Sequence, residues 1–304
     1  MSKAKNLAYS IQSIGFFFHP THTLCLTRNN SFLLQRLFET TESQSTVRDN
    51  DLVVVNKPSG VLSVPSEQGI PSLAQTVFET VDHSLSSYDR MVVHRLGMDT
   101  SGLVIFAKSM DGLRGMNTLF RTREVTRQYE VLVCGTVDDD EGLIDFPLMR
   151  DYEFPPYMRV STDEHQRALV DLDPAIVGKK LLEAPKASLT KFEVVAREEL
   201  GDTKLPVTRL ILTSITGRTH QLNVHCAAIG HPIVADRVYG YDGQAATNGG
   251  LYDSSLREDA ASVELQQQIA AATTDKTMCV HAKRLSFRHP ITHKVVSFES
   301  RPPF

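Results

Sequence analysis

The densest grouping of reactive side chains lies in residues 92–108, where His94, Arg95 and Asp99 fall within six positions. The chain then turns at Thr100-Ser101-Gly102 and enters an apolar run at 103–107. A carboxylate in a polar loop that leads straight into a buried strand is held still, as a base or nucleophile must be. Two other groups could work with it. Tyr129 sits in an alternating segment, 128–133, which puts Tyr129, Val131 and Val133 on one face. Arg218 follows Gly217 and precedes a segment of helical spacing at 219–229. A guanidinium takes phosphate or carboxylate in a bidentate grip, and the free N–H groups of a helix start add anion affinity. Taken singly, each of these residues reads more readily as a structural ion pair or a surface group.

Other chemistries find less support. His220 and His225 are five residues apart, so they do not share a helix face and read as core or hydrogen-bonding histidines rather than metal ligands. Ser101 lacks the Gly-x-Ser-x-Gly setting of a hydrolase nucleophile. No glycine-rich phosphate loop of the P-loop or dinucleotide type occurs. Cys25, Cys134, Cys226 and Cys279 are scattered without a C-x-x-C pair, which fits idle reduced thiols. No metal and no cofactor is expected. A hydrolase pairing Asp99 with a histidine is an outside alternative.

The elements that must position these residues can be read from periodicity. Residues 52–55 form an apolar run and Lys57-Pro58-Ser59-Gly60 a turn after it, with Lys57 as a turn residue. Helical spacing covers 72–81 and 111–121. Strands are expected at 103–107, 128–133, 189–195, 209–215, 278–287 and 294–298, and a helix at 219–229 with Gly230 at its C′ position. Residues 138–186 read as loop, rich in proline. Residues 241–276 read as a low-order insertion with a helix near 256–271. Strands and helices mix without regular βαβ alternation, so the expected fold class is α+β, with a largely antiparallel mixed sheet and two lobes flanking a central cleft.

Charge and composition set further bounds. The chain has 304 residues and a net charge of −4, so nucleic-acid binding would have to be local. Arg114, Arg121, Arg123 and Arg127 cluster with only Glu124 among them, whereas 253–275 holds five acidic residues against Arg257. The arginine cluster is either an RNA contact or a solvated helix face, and Lys283 and Arg284 carry the same ambiguity. No run of about 18 apolar residues is present, so no membrane span is expected. Before Glu39 there is no acidic residue, while Lys3, Lys5, Arg28 and Arg36 are present. Residues 1–48 therefore read as an organelle transit peptide or as a loosely packed extension, and 49–304 as the catalytic domain. The expected location is cytoplasmic, or organellar if the extension is a transit peptide.

The order of the motifs is more specific than any one of them. Residues 51–65, Asp-Leu-Val-Val-Val-Asn-Lys-Pro-Ser-Gly-Val-Leu-Ser-Val-Pro, come first. His94 to Gly102 follows, then Arg127-Gln-Tyr-Glu-Val-Leu-Val-Cys-Gly135. Thr216-Gly-Arg-Thr-His-Gln-Leu-Asn-Val-His225 is followed by Gly230-His-Pro-Ile-Val-Ala-Asp-Arg-Val-Tyr-Gly240, and His281-Ala-Lys-Arg-Leu-Ser-Phe with His289-Pro closes the series. This order resembles the RluA-type RNA pseudouridine synthases, in the members without an S4 module, over all of 51–304.

The resemblance implies a cofactor-free isomerase that acts on a flipped uridine in rRNA or tRNA, as a monomer. It implies roles residue by residue. Tyr129 would pack on the uracil and could accept its C5 proton. Arg218 would pair with the catalytic aspartate, and Leu222 would wall the base. His94 and Arg95 would contact RNA, with Arg95 filling the gap left by the flipped nucleotide or touching phosphate.

Two positions depart from the pattern. Asn223 stands where the family usually has a second arginine. Gly97 stands where it has the catalytic Asp of His-Arg-Leu-Asp-x-x-Thr-Ser-Gly. Asp99 is expected to replace it, in a loop rearranged around a permissive glycine, with its carboxylate reaching Arg218. The alternative is a catalytically impaired RNA-binding homologue.

Overall fold

The computed structural model describes residues 49–66, 69–170 and 181–304. The expectations for 1–48 lie outside the described residues. Among those described, no helix is long and apolar enough to cross a membrane.

The frame is an eight-stranded sheet ordered β1-β2-β9-β3-β8-β7-β4, with β10 on β9. Its strands are β1 (Leu52–Lys57), β2 (Ser101–Ala107), β3 (Thr126–Cys134), β4 (Glu141–Asp145), β7 (Leu189–Leu200), β8 (Leu205–Ser214), β9 (Val280–Arg288) and β10 (Val295–Glu299). Every pairing is antiparallel except β2 with β9, where Gly102 lies opposite Ala282. The α+β sheet expected from the sequence is therefore present.

Helices cover both faces. On one face, α1 (Leu73–Thr80) packs with Val53, Val55, Val104 and Phe106, and α4 (Gln221–Ala228) packs with Val131, Val133, Leu210 and Leu212. Tyr129 touches both clusters, so the two halves of the sheet meet at that residue. On the other face, α2 (Met110–Thr122) covers Leu103, Ile105 and Leu285, and α5 (Val263–Ala272) covers Leu132, Cys134 and Cys279.

The local chemistry explains the helix ends. Ser72 and Gln75 form a reciprocal capping box at α1, and Ser109 accepts the Gly112 N–H at α2. Gly230, with φ of +84°, follows α4, and an added Cβ would lie 2.3 Å from the Ala260 Cβ. The expected C′ glycine is thus required both by conformation and by packing.

Two expectations need correction. The stretch read as loop holds β4, a hairpin of β5 (Leu148–Arg150) with β6 (Met158–Val160), and α3 (Asp163–Val170). Three-residue strands and an edge strand are too short to show a period. The insertion read as low-order is built into the core: Ala245, Ala261 and Ile269 are buried, and its helix begins at Val263.

Candidate active site

The two leading motifs are joined by hydrogen bonds into one unit. Ser63 Oγ donates to the Leu96 carbonyl at 2.8 Å and accepts the Leu96 N–H at 3.1 Å. Gly60 N–H donates to the Met98 carbonyl at 2.9 Å, and Ser59 Oγ donates to the Asp99 carbonyl at 2.7 Å. Lys57 completes the joint. Its fully buried Nζ donates to the carbonyls of Pro58, Val61 and Met98 at 3.0, 2.8 and 2.8 Å. Three acceptors match the three protons of an ammonium group. Burial lowers the Lys57 pKa to about 7, and the Asp99 charge acts in the opposite direction. This residue is a structural anchor under the loop, not a simple turn residue.

With its backbone fixed, the loop presents Asp99 at the surface. The Asp99 side chain reaches solvent and makes no hydrogen bond or ion pair among the described residues. The protein around it still raises its carboxyl above the ordinary range. Partial burial raises it most, Lys57 and Arg237 lower it, and the Asp236 carboxylate raises it. A carboxylate that is unpaired, held by its own backbone and partly desolvated is available to a substrate.

The loop does not use the freedom of glycine at position 97. Gly97 has no positive φ, and an added Cβ would meet only Thr100 Oγ1, at 3.5 Å. The loop is instead held by the Ser59, Gly60, Ser63 and Lys57 contacts, and by a turn from Thr100 N–H to the Gly97 carbonyl at 3.2 Å. Gly97 is thus a position without a side chain in an ordinary backbone.

Behind the loop, one row of residues crosses the sheet: Lys57, Gly102, Ala282, Tyr129, Leu212 and Phe192. Gly102 has φ of +112°, and a Cβ there would lie 2.4 Å from the Ala282 carbonyl oxygen. The bare Gly102 lets β2 close on β9 and brings the Asp99 loop within two strands of Tyr129. Burial raises the Tyr129 phenol while the Arg127 charge lowers it, so Tyr129 is neutral at physiological pH. Leu222, from α4, is buried in the same apolar cluster as Tyr129.

The remaining expected site residues divide. His94 is engaged inside the protein: Nε2 accepts the Ile105 N–H at 2.9 Å, and the ring stacks on Phe120 with centroids 5.0 Å apart. Burial and the Arg127 charge lower its pKa to about 3, so it is a neutral scaffold group. Arg95 is exposed and has no partner among the described residues.

Arg218 lies three residues before the first residue of α4, in a turn shaped by Gln221, whose Oε1 accepts the Arg218 N–H at 3.0 Å. Its guanidinium donates to the Ala187 carbonyl at 3.3 Å and makes no ion pair with Asp99. It lines a depression of about 220 Å³ with Met149, Arg150 and Lys186. The expected reach from Asp99 to Arg218 is therefore not made. The charges acting on Asp99 are those of Lys57, Asp236 and Arg237.

Asn223 fills the place of the missing arginine by donating to Asp236 Oδ2 at 2.8 Å, while Asp236 Oδ1 accepts the N–H groups of Val238 and Tyr239. Lys57, Arg150, Lys186 and Arg237 were not expected to shape the site. Lys57, beside a proline turn at a strand end, and Arg237, inside the quoted 230–240 motif, left a signal in the sequence; Arg150 and Lys186 left none.

With this geometry in place, comparison with known proteins is informative. A family described as RNA pseudouridylate synthase matches residues 51–228. The Dual-specificity RNA pseudouridine synthase RluA of Pasteurella multocida is 33% identical over 256 residues, 84% of this chain and 91% of the relative. The protein of the same description from Haemophilus influenzae is 32% identical over 84% of this chain and 92% of its own length. The solved structure of Human RNA Pseudouridylate Synthase Domain Containing 1 has the same fold, with a TM-score of 0.56 at 23% identity, covering 87% of each chain. The chain belongs to the RNA pseudouridylate synthases, in their RluA-type branch.

Proposed function

We propose that this chain converts uridine to pseudouridine in RNA, without a cofactor, on a base flipped into the cleft in front of Tyr129. In that reaction the C1′–N1 bond breaks, the uracil turns, C5 bonds to C1′, the C5 proton leaves, and N1 takes up a proton, so that the product is an isomer of the substrate. Asp99 supplies the carboxylate at the ribose–uracil unit, as nucleophile or base. Tyr129, neutral and flanked by Leu222, packs on the uracil. Arg95 is free to contact phosphate or take the place of the flipped base. Arg218, in one depression with Arg150 and with the Lys186–Glu183 ion pair, provides a second phosphate contact. The target is a folded RNA of the rRNA or tRNA class, and the working unit is a monomer.

The observation that carries this reading is the Asp99 carboxylate, unpaired, on a loop whose backbone is fixed by the Lys57–Ser63 turn. A second reading, an RNA-binding homologue without catalysis, is favoured by the empty Gly97 position and by the missing Asp99–Arg218 pair. Release of tritium from RNA carrying [5-3H]uridine separates them, with no metal or nucleotide added. Release that rises with enzyme concentration supports isomerisation. RNA retention in a filter-binding assay without any release supports the second reading.

A further inference from the structure

Away from the cleft, the β5–β6 hairpin and α3 bring Asp151, Glu153 and His165 together, with one donor atom from each lying within 4.8 Å of the others. Asp151 is fully buried and His165 is 3% exposed, yet Asp151 Oδ2 and His165 Nε2 have no hydrogen-bond partner. A buried polar atom left without a hydrogen bond is destabilising, so two of them in one cluster need an explanation.

The surrounding contacts orient both groups. Asp151 Oδ1 is occupied by the N–H groups of Glu153 and Phe154, at 2.9 and 3.2 Å, which leaves Oδ2 turned inward. The His165 ring stacks on Tyr152 with centroids 4.2 Å apart. Its Nε2 is buried and unpartnered, and one of its ring nitrogens lies within 4.8 Å of both carboxylates. Burial lowers the His165 pKa, favouring the neutral ligating form. Arg159 Nη1 donates to Glu153 Oε2 at 3.4 Å and forms an ion pair with the same Asp151 Oδ2 at 3.8 Å, so one guanidinium charge faces two carboxylates.

We propose that Asp151, Glu153 and His165 form a site for a divalent transition ion, of the zinc or manganese class, that clamps the β5–β6 hairpin to α3. One imidazole and two carboxylates suit such an ion. Ligand atoms around it sit closer than 4.8 Å, so binding draws the three side chains together by about 1 Å. The clamp is structural: it fixes Arg150, the residue beside Asp151, where it lines the depression of Arg218.

The test uses the full, untagged chain, stripped with chelator and dialysed against zinc or manganese chloride. One bound ion per chain by mass spectrometric metal analysis, together with a raised melting temperature, is expected. Glu153→Gln alters an exposed side chain and keeps the fold, and it weakens binding by about 10-fold or more. His165→Gln removes the bound ion. A wild-type chain that takes up no ion while folded would assign the gap to a bridging water and overturn the proposal. Binding that neither substitution changes would place the metal elsewhere and overturn it equally.

Discussion

The Lys57 ammonium and the Met98 carbonyl, 41 residues apart in sequence, meet at 2.8 Å. That contact ties the turn after β1 to the loop before β2, and the position of Asp99 follows from it. Replacing Lys57 by methionine leaves the buried Val61 carbonyl without a partner and the Met98 carbonyl with the Gly60 N–H alone. The expected loss is about 2–5 kcal/mol in urea unfolding, with isomerase activity falling further than stability accounts for.

Asp99 gives a pH signature. Its carboxyl is raised above the ordinary 3.8 by the surrounding protein. The working form is the anion, so activity is lost as pH falls, with a midpoint above 3.8. Asp99→Glu keeps a carboxyl but displaces it, and a loss of about 100-fold is expected. A pH–rate profile of kcat/KM checks the first statement, and single-turnover rates check the second.

Gly97 can be filled. The backbone there is ordinary and the nearest atom to an added Cβ is Thr100 Oγ1 at 3.5 Å. Gly97→Asp should therefore change stability by no more than about 0.5 kcal/mol, as surface changes do. A second carboxylate in the loop disfavours the anion at Asp99, so the acid limb of activity moves to higher pH. An unchanged profile would show that the two positions do not face the same space.

Tyr129 separates packing from proton transfer. Its hydroxyl makes no hydrogen bond among the described residues, so Tyr129→Phe keeps stability and RNA binding. Tyr129→Ala opens a cavity where the two apolar clusters meet and costs about 3–5 kcal/mol. Thermal melts of both variants, beside tritium release, divide the ring from the hydroxyl.

Buried neutral histidines make the fold acid-sensitive. His94 has a pKa near 3, and His225 and His281 are each lowered to about 4, in every case chiefly by burial. The unfolded chain takes up these protons below the ordinary 6.5, so the native state loses stability as pH falls from that value toward 4. Each group contributes on the order of 1–2 kcal/mol between pH 7 and 5. Urea midpoints at the two pH values measure the total.

The sequence carried the long elements and the order of the motifs. Leu52–Lys57, Ser101–Ala107 and Thr126–Cys134 declare themselves by apolar runs or alternation, and Gly230 by its position after a helix. The hairpin at 148–160 and helix α3 were not legible, because their strands are three residues long and their stability comes from contacts made in three dimensions. The site was legible as a set of residues but not as a set of pairs. His94 looked like an RNA contact, and only the fold shows its Nε2 bonded to Ile105. Arg218 looked like the partner of Asp99, and only the fold places it with Arg150 and Lys186. Lys57 gave no hint of a threefold carbonyl anchor, since two of its acceptors are backbone atoms beside it and the third lies in another motif.

The central claim is that the Asp99 carboxylate carries the reaction. A uridine-containing RNA incubated with wild type and with Asp99→Asn, then mapped for pseudouridine, tests it directly. Pseudouridine formed by the wild type and missing from Asp99→Asn, with the variant folded and still retaining RNA, is the predicted result. Equal pseudouridine from both would remove Asp99 from the mechanism.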